Sequence, residues 1–290
     1  MGGPKKFKER YEIPITKFQD KAQLAKLSAR INPFVLRRLK RDVIKDLPQK
    51  IEQVSYCELE PTQAKLYAKM IESARAIAVK SVDEDGFEKN RMVILTLILR
   101  LRQICCHPLI AGVDLGHRSV SGKMELLKET LAELLAGGHK VLIFSQFVSM
   151  LKIMEEYLQR EKISFAYMDG SSQARQEEVE RFNNDPSLRV FLLSLKVGGV
   201  GLNLTSADTV IIYEPWWNPA VENQAIDRVH RIGQSNAVLA YRLITKGTIE
   251  EKMLELQNRK RFLMDALVLS EESLGKKLDW EDIKFLLDMK

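Results

Sequence analysis

From residue 121 onward the sequence predicts an α/β fold, a parallel sheet with helices on both faces. Three observations carry this. Five short runs, KVLIFSQF (140–147), SFAYMDG (164–170), RVFLLSL (189–195), TVIIYEP (209–215) and AVLAYRLI (237–244), are apolar and rich in β-branched and aromatic residues. Near-continuous apolar runs of this length mark strands buried on both faces. Helical patterns at 147–160, 173–184 and 219–231 separate most of them, and turn signals bound each run. Strands that alternate with helices form a parallel sheet, and the functional loops of such a sheet leave the carboxyl ends of its strands.

The flanking stretches differ in texture. Before about Arg118 the patterns are helical, with one strand at IEQVSYCEL (51–59). Residues 61–80 and 88–107 read as amphipathic helices, with Pro61 at a helix start and Pro108 after a helix end. SVDEDGFEKN (81–90) reads as a solvated turn. The segment FVLRRLKRDVIKDLP (34–48) is strongly basic through Arg37, Arg38, Lys40 and Arg41, which suits either phosphate or an exposed helix face. After 247 the chain is helical again. Thr248 followed by Glu251 predicts a capping box, and a last short helix is expected near 279–288. The predicted organisation is therefore a helical region and linker at 1–120, the α/β lobe at 121–247 and a helical tail at 248–290.

The chain of 290 residues is 45% hydrophobic and 29% charged, an ordinary globular balance, and its net charge of +6 tilts it towards a polyanionic partner. No stretch approaches the ~20 apolar residues of a membrane span. Three cysteines, Cys57, Cys105 and Cys106, are too few for a disulfide framework, and the adjacent pair in CCHP lacks metal-ligand spacing. No metal site is expected on this chain. An intracellular, reducing compartment fits: cytoplasm or nucleoid in a prokaryote, nucleus in a eukaryote.

Four stretches carry candidate chemistry. In QAIDRVHRIGQ (224–234), at about 100° per residue, Gln224, Arg228 and Arg231 fall within roughly 60° of one another on a helix that Gly233 would stop. Planar guanidiniums on one stripe suit phosphate oxygens, although surface pairing with Asp227 or Glu222 fits the same spacing. LKVGGVGLN (195–203) is a glycine-rich turn after a strand, a place for close ligand approach or a bare turn. EPWWNP (214–219) sets Trp216 and Trp217 at a strand end, pointing in opposite directions if extended. GHRSVSGKM (116–124) is not a phosphate loop. Five residues separate its glycines instead of four, and Met124 stands where a magnesium-binding Ser or Thr is required. No apolar strand ends in the paired acids that such a metal needs.

Taken together, LRRLKRDV…LPQK, LRQICCHPLI, SGKMELL, KVLIFSQF, YMDGSSQARQ, SLKVGGVGLNLTSAD, YEPWWNP and QAIDRVHRIGQ resemble, over nearly the whole chain, the second half of the Swi/Snf-type ATPase motors of helicase superfamily two. The resemblance implies a RecA-like lobe with family-specific helical insertions and a C-terminal helical brace. Its partners would be the first RecA-like lobe and duplex DNA, with ATP and magnesium bound mainly by that first lobe. Arg228 and Arg231 would be arginine fingers on the γ-phosphate, positioned with the help of Gln224. Gly199, Gly201 and Asn203 would belong to the loop that couples nucleotide to DNA. Ser145, Gln146, Gly170, Ser171, Lys196 and one of Trp216 and Trp217 would line the DNA path. Without a phosphate loop and an Asp-Glu pair, the chain alone is expected to hydrolyse ATP negligibly. Two alternatives stand beside this reading: a strand-separating helicase, and a non-catalytic binding module derived from such a motor.

Overall fold

The computed structural model describes residues 4–18, 20–31, 48–80, 84–113, 116, 120–198, 202–231, 233–267 and 280–289. The basic tract of Arg37, Arg38, Lys40 and Arg41 lies outside the described residues, as do Gly199 and Gly201.

Six strands form one sheet: β1 (Lys50–Cys57), β2 (Val141–Ser145), β3 (Phe165–Met168), β4 (Val190–Ser194), β5 (Thr209–Ile212) and β6 (Val238–Thr245). Their order is β1-β6-β5-β2-β4-β3, and every neighbouring pair is parallel. Five are the runs predicted beyond residue 121. The sixth, β1, comes from the stretch before 120 and pairs with β6 along its length, from Lys50 opposite Val238 to Cys57 opposite Thr245. The helices are α1 (Lys21–Ile31), α2 (Pro61–Val79), α3 (Glu84–Cys106), α4 (Gly122–Ala136), α5 (Val148–Arg160), α6 (Arg175–Asn184), α7 (Pro219–Ile226), α8 (Ile249–Leu267) and α9 (Trp280–Leu286). Residues 4–18 are also helical and pass through a π-turn at Lys8–Glu12.

The alternation of a strand sorts its side chains into two cores. Leu142, Phe144, Phe191, Leu193, Val210 and Ile212 face one side, under α6 and α7. Val141, Ile143, Val190, Leu192 and Ile211 face the other, under α4 and α5. Both faces are thus buried, which is why these strands read as unbroken apolar runs. A third core joins α2, α3, α8 and α9 through Tyr67, Ala74, Ile94, Ile98, Met253 and Ile283. Among the described residues no helix is long and apolar enough to cross a membrane.

Three local expectations are corrected. Helix α3 begins at Glu84, inside the segment read as a turn. Helix α7 ends at Ile226, not at Gly233. Beyond it the backbone tightens, with Arg228 N–H bonded to the Ala225 carbonyl and Val229 N–H to that of Ile226. The Arg228 carbonyl, which would continue the ladder, instead accepts from Leu204 N–H at 3.3 Å. At α8, Thr248 Oγ1 accepts from Glu250 N–H at 3.2 Å, but the Glu251 carboxylate reaches back to Gly247 N–H at 2.7 Å, one residue earlier than a capping box requires.

Candidate functional site

The chain crosses the sheet one way from β2 to β3 and the other way from β4 to β5, so its connections diverge beside β2. Crevices in such sheets open at that place, at the carboxyl ends of the strands. Register brings those ends level, with Ser145 opposite Ser194 and Phe144 opposite Ile212. The loops bearing Gln146, Gly170, Lys196 and Trp216 therefore leave from one edge.

After β2, Ser145 is buried and works inward. Its Oγ lies 3.0 Å from each carboxylate oxygen of Glu214 and accepts from Phe147 N–H at 3.1 Å. Gln146 N–H donates to Glu214 Oε1 at 2.5 Å, while the Gln146 side-chain oxygen accepts from Arg102 Nη1 at 3.1 Å. Burial pushes the Glu214 carboxyl up to about 7, although Gln146 N–H, Arg102, Lys123 and Ser145 all act to lower it.

After β3, Asp169 shapes the turn. It accepts from the Ser171 hydroxyl at 2.6 Å, Ser171 N–H at 2.8 Å and the Tyr167 hydroxyl at 2.8 Å. The Ser171 hydroxyl leads the interactions that hold this carboxyl below its ordinary value. Gly170 and Ser171 are exposed, and nothing stands within 4 Å of a Cβ built on Gly170. After β4, Lys196 sits in a single helical turn, Leu195–Gly198, anchored by buried Leu195 and Val197. Asn203 is exposed, and its carbonyl accepts from Asn183 Nδ2 at 3.0 Å.

After β5, the two tryptophans part as their alternation predicts. Trp216 packs on the core beneath α6 and α7, and Trp217 on the helical core of α2 and α3. Both are half-buried, and the Arg102 guanidinium stands against both rings, 5.5 and 5.0 Å from their centres. Trp216 N–H donates to Glu222 at 2.8 Å, and its carbonyl accepts from Gln257. Asn218 caps α7 by accepting from Ala220 N–H, with Pro219 in the first turn.

The stretch with the paired arginines is part helix and part turn. Gln224 is exposed on α7, whereas Arg228 and Arg231 lie on the turns beyond it, so the single helical stripe does not persist. Arg228 is half-buried, and burial and then Arg231 lower its affinity for its proton, with Asp227 opposing. Exposed Arg231 places Nη1 3.4 Å from the Leu202 carbonyl. Gln234 locks the turn from beneath, donating to the Ala207 carbonyl at 2.7 Å. Arg228 through its carbonyl and Arg231 through its guanidinium are thereby tied to residues 202–204, the far end of the glycine-rich loop.

Sequence reasoning missed three buried charged groups. Lys123, in the stretch rejected as a phosphate loop, is paired with Glu250; burial lowers the lysine, but Glu250 together with the nearby cysteines holds it above its ordinary value. Next to it, a Cβ on Gly122 would overlap the Glu58 carbonyl, and Ser121 Oγ donates to the Cys106 carbonyl at 2.6 Å. SGK is thus a clasp between elements. Arg242 on β6 bridges Glu222 at 2.9 Å and Glu52 at 2.7 Å. Arg102 is the third. The available signal was a charge inside an apolar run, as in AVLAYRLI and LILRLRQICC. Cys57, Cys105 and Cys106 are free and buried.

Residues 122–233 match the helicase conserved C-terminal domain, and residues 1–110 match the SNF2-related domain. The chain is 36% identical over 290 residues to the uncharacterized ATP-dependent helicase MG018 of Mycoplasma genitalium, covering 99% of this chain and 27% of that protein. It spans about a quarter of the length of the curated relatives it matches. The Sulfolobus solfataricus SWI2/SNF2 ATPase C-terminal domain superposes with a TM-score of 0.63 at 34% identity, covering 83% of this chain and all of that one. The Sulfolobus solfataricus SWI2/SNF2 ATPase core in complex with dsDNA superposes with a TM-score of 0.64 at 35% identity, covering 100% of this chain and 61% of that one. This chain belongs to the SWI2/SNF2 family of ATP-dependent helicases and translocases, and its sheet is the family's C-terminal RecA-like lobe.

Proposed function

We propose that the chain is the second lobe of a motor that tracks along duplex DNA, in which Arg228 and Arg231 meet the γ-phosphate of an ATP held chiefly by the first lobe. The observation that carries this reading is the pair of guanidiniums itself. They are close enough for Arg231 to depress Arg228, on a turn whose backbone bonds to the end of the glycine-rich loop. Such a pair suits a phosphate chain, and it would stabilise the charge that develops as the γ-phosphoryl group departs. Gln224, one turn earlier, helps to set their approach. Gly199, Gly201 and Asn203 carry the nucleotide state to the DNA edge.

ATP supplies the phosphoryl transfer that drives the cycle. Magnesium would be held with the ATP, chiefly by the first lobe. On the DNA edge, the loop at Gln146, with Gly170, Ser171, Lys196 and the Trp216–Trp217 loop, faces the duplex backbone; Ser145 acts through Glu214 and the Gln146 side chain through Arg102. Contacts of this kind hold phosphates without reading bases. The duplex-bound Sulfolobus relative supports the choice of duplex.

The test is ATP turnover by the chain joined to a lobe that carries the phosphate loop, with no DNA, single-stranded DNA or duplex. Stimulation chiefly by duplex, with negligible turnover by the chain alone, is expected. Preferential stimulation by single strands together with strand displacement would instead identify a helicase that separates strands.

A further inference from the structure

Arg102 lies on α3, outside the sheet, and is 1% exposed. Its guanidinium reaches the two loops that leave β2 and β5. Nη1 donates to the Gln146 side-chain oxygen at 3.1 Å, and Nη2 to the Pro215 carbonyl at 2.7 Å. Its carbon stands 5.7 Å from the Phe147 ring centre, 5.5 Å from that of Trp216 and 5.0 Å from that of Trp217. Among the described residues it makes no ion pair. Its charge rests on ring faces, one amide and one carbonyl. Gln146 Nε2 is buried without a partner, so that amide is oriented through its oxygen, by Arg102.

One turn further along α3, Cys106 touches the same strand end, where its carbonyl accepts from the Tyr213 hydroxyl at 3.1 Å. Arg102 and Cys106 thus share a helix face towards β5, while Leu101, Ile104 and Cys105 fill the helical core. This accounts for the spacing within LRQICCHP. A buried arginine without a carboxylate is costly, and a hydrophobic residue would fill the space more cheaply. What only arginine supplies is a planar fork that grips two loops while stacking on their aromatic rings.

We infer that Arg102 is the positioning residue of the DNA-facing edge: it holds the loops Ser145–Phe147 and Glu214–Trp217 in one arrangement. The inference rests on the reading that these loops meet duplex DNA. Arg102 does not touch the duplex; it aligns groups that do.

The experiment measures duplex affinity of the 290-residue chain by fluorescence anisotropy across a salt series, for wild type, Arg102→Lys and Arg102→Met. Tryptophan emission and urea unfolding are recorded on the same samples. Both variants are expected to bind about tenfold more weakly with an unchanged salt slope, because neutral loop contacts are lost and no phosphate partner is removed. Their tryptophan emission should shift as the rings lose the planar guanidinium. If the Met variant unfolds, the Lys variant, which keeps the charge and the stem, decides. Wild-type affinity in a folded Lys variant overturns the inference. A salt slope reduced by about one means that Arg102 itself contacts phosphate, which also overturns it. Wild-type chain without duplex affinity overturns the functional reading, and the inference with it.

Discussion

Arg102 and Arg242 are both buried, at 1% and 4% exposure, and they are balanced in opposite ways. Arg242 is closed in by two carboxylates, Glu222 on α7 and Glu52 on β1. The pair outweighs burial and raises it above its ordinary value. Burial alone would raise Glu52, but Lys50 and Arg242 hold its carboxyl down to about 2. Among the described residues Arg102 has no such partner, and burial lowers it. The nearby acid, Glu214, is bound by Ser145 and by Gln146 N–H instead, and sits near 7. The first cluster is a closed triad that fastens an edge strand and a helix to β6. The second is open, with its donors turned to loop groups. Charge balance separates an arginine that joins elements from one that aims a working edge. Glu222 links the two, because it also accepts from Trp216 N–H and from Gln257.

The sharpest way to break this comparison is Arg242→Met. It leaves Glu222 buried without a cationic partner, at an expected cost of about 3–5 kcal/mol in urea unfolding. A cost near zero would show that the triad does not stabilise the fold. Next is pH. The Glu214 carboxyl is raised from 4.5 to about 7 in the fold, so the native state binds the extra proton in that window. Its contribution to stability is present below about pH 4.5 and is lost as pH rises through 7, on the order of 3 kcal/mol. Glu214→Gln should flatten that decline, and an unchanged pH profile would contradict the account. Arg102→Lys should cost only about 1–2 kcal/mol of stability, less than Arg242→Met, because it loses hydrogen bonds without stranding a buried carboxylate. The smallest effect is Glu52→Gln at the half-exposed end of the triad, about 0.5–1 kcal/mol at neutral pH. Because Glu52 is depressed to about 2, that contribution is present above about pH 4.5 and fades as pH falls towards 2, which acid titration of the two proteins would reveal.

The sheet was legible because its strands are buried on both faces and so read as apolar runs. The strand at 51–59 was legible as a strand but its partner was not: β6 lies nearly 190 residues away, and nothing local encodes that pairing. The end of α7 was misread for a similar reason. Periodicity continues to Arg231, but a loop amide from Leu204 claims the carbonyl that would extend the helix. The motif loops were found as sequence, together with the edge they leave from. Which side chains face inward was hidden. Ser145 looks like a phosphate ligand in a string of letters, and its hydroxyl is committed to Glu214. Lys123 was invisible as a buried group and Arg102 showed only as a charge inside an apolar run, since their partners come from distant loops and helices.

The most direct test of the central claim, that this lobe completes an ATPase centre through its arginines, is the turnover number under saturating duplex of the chain joined to a phosphate-loop lobe. Wild type is compared with Arg228→Ala and Arg231→Ala. The account predicts a loss of about 10³-fold or more for at least one variant, with duplex affinity unchanged. Turnover within a few-fold of wild type in both would contradict it.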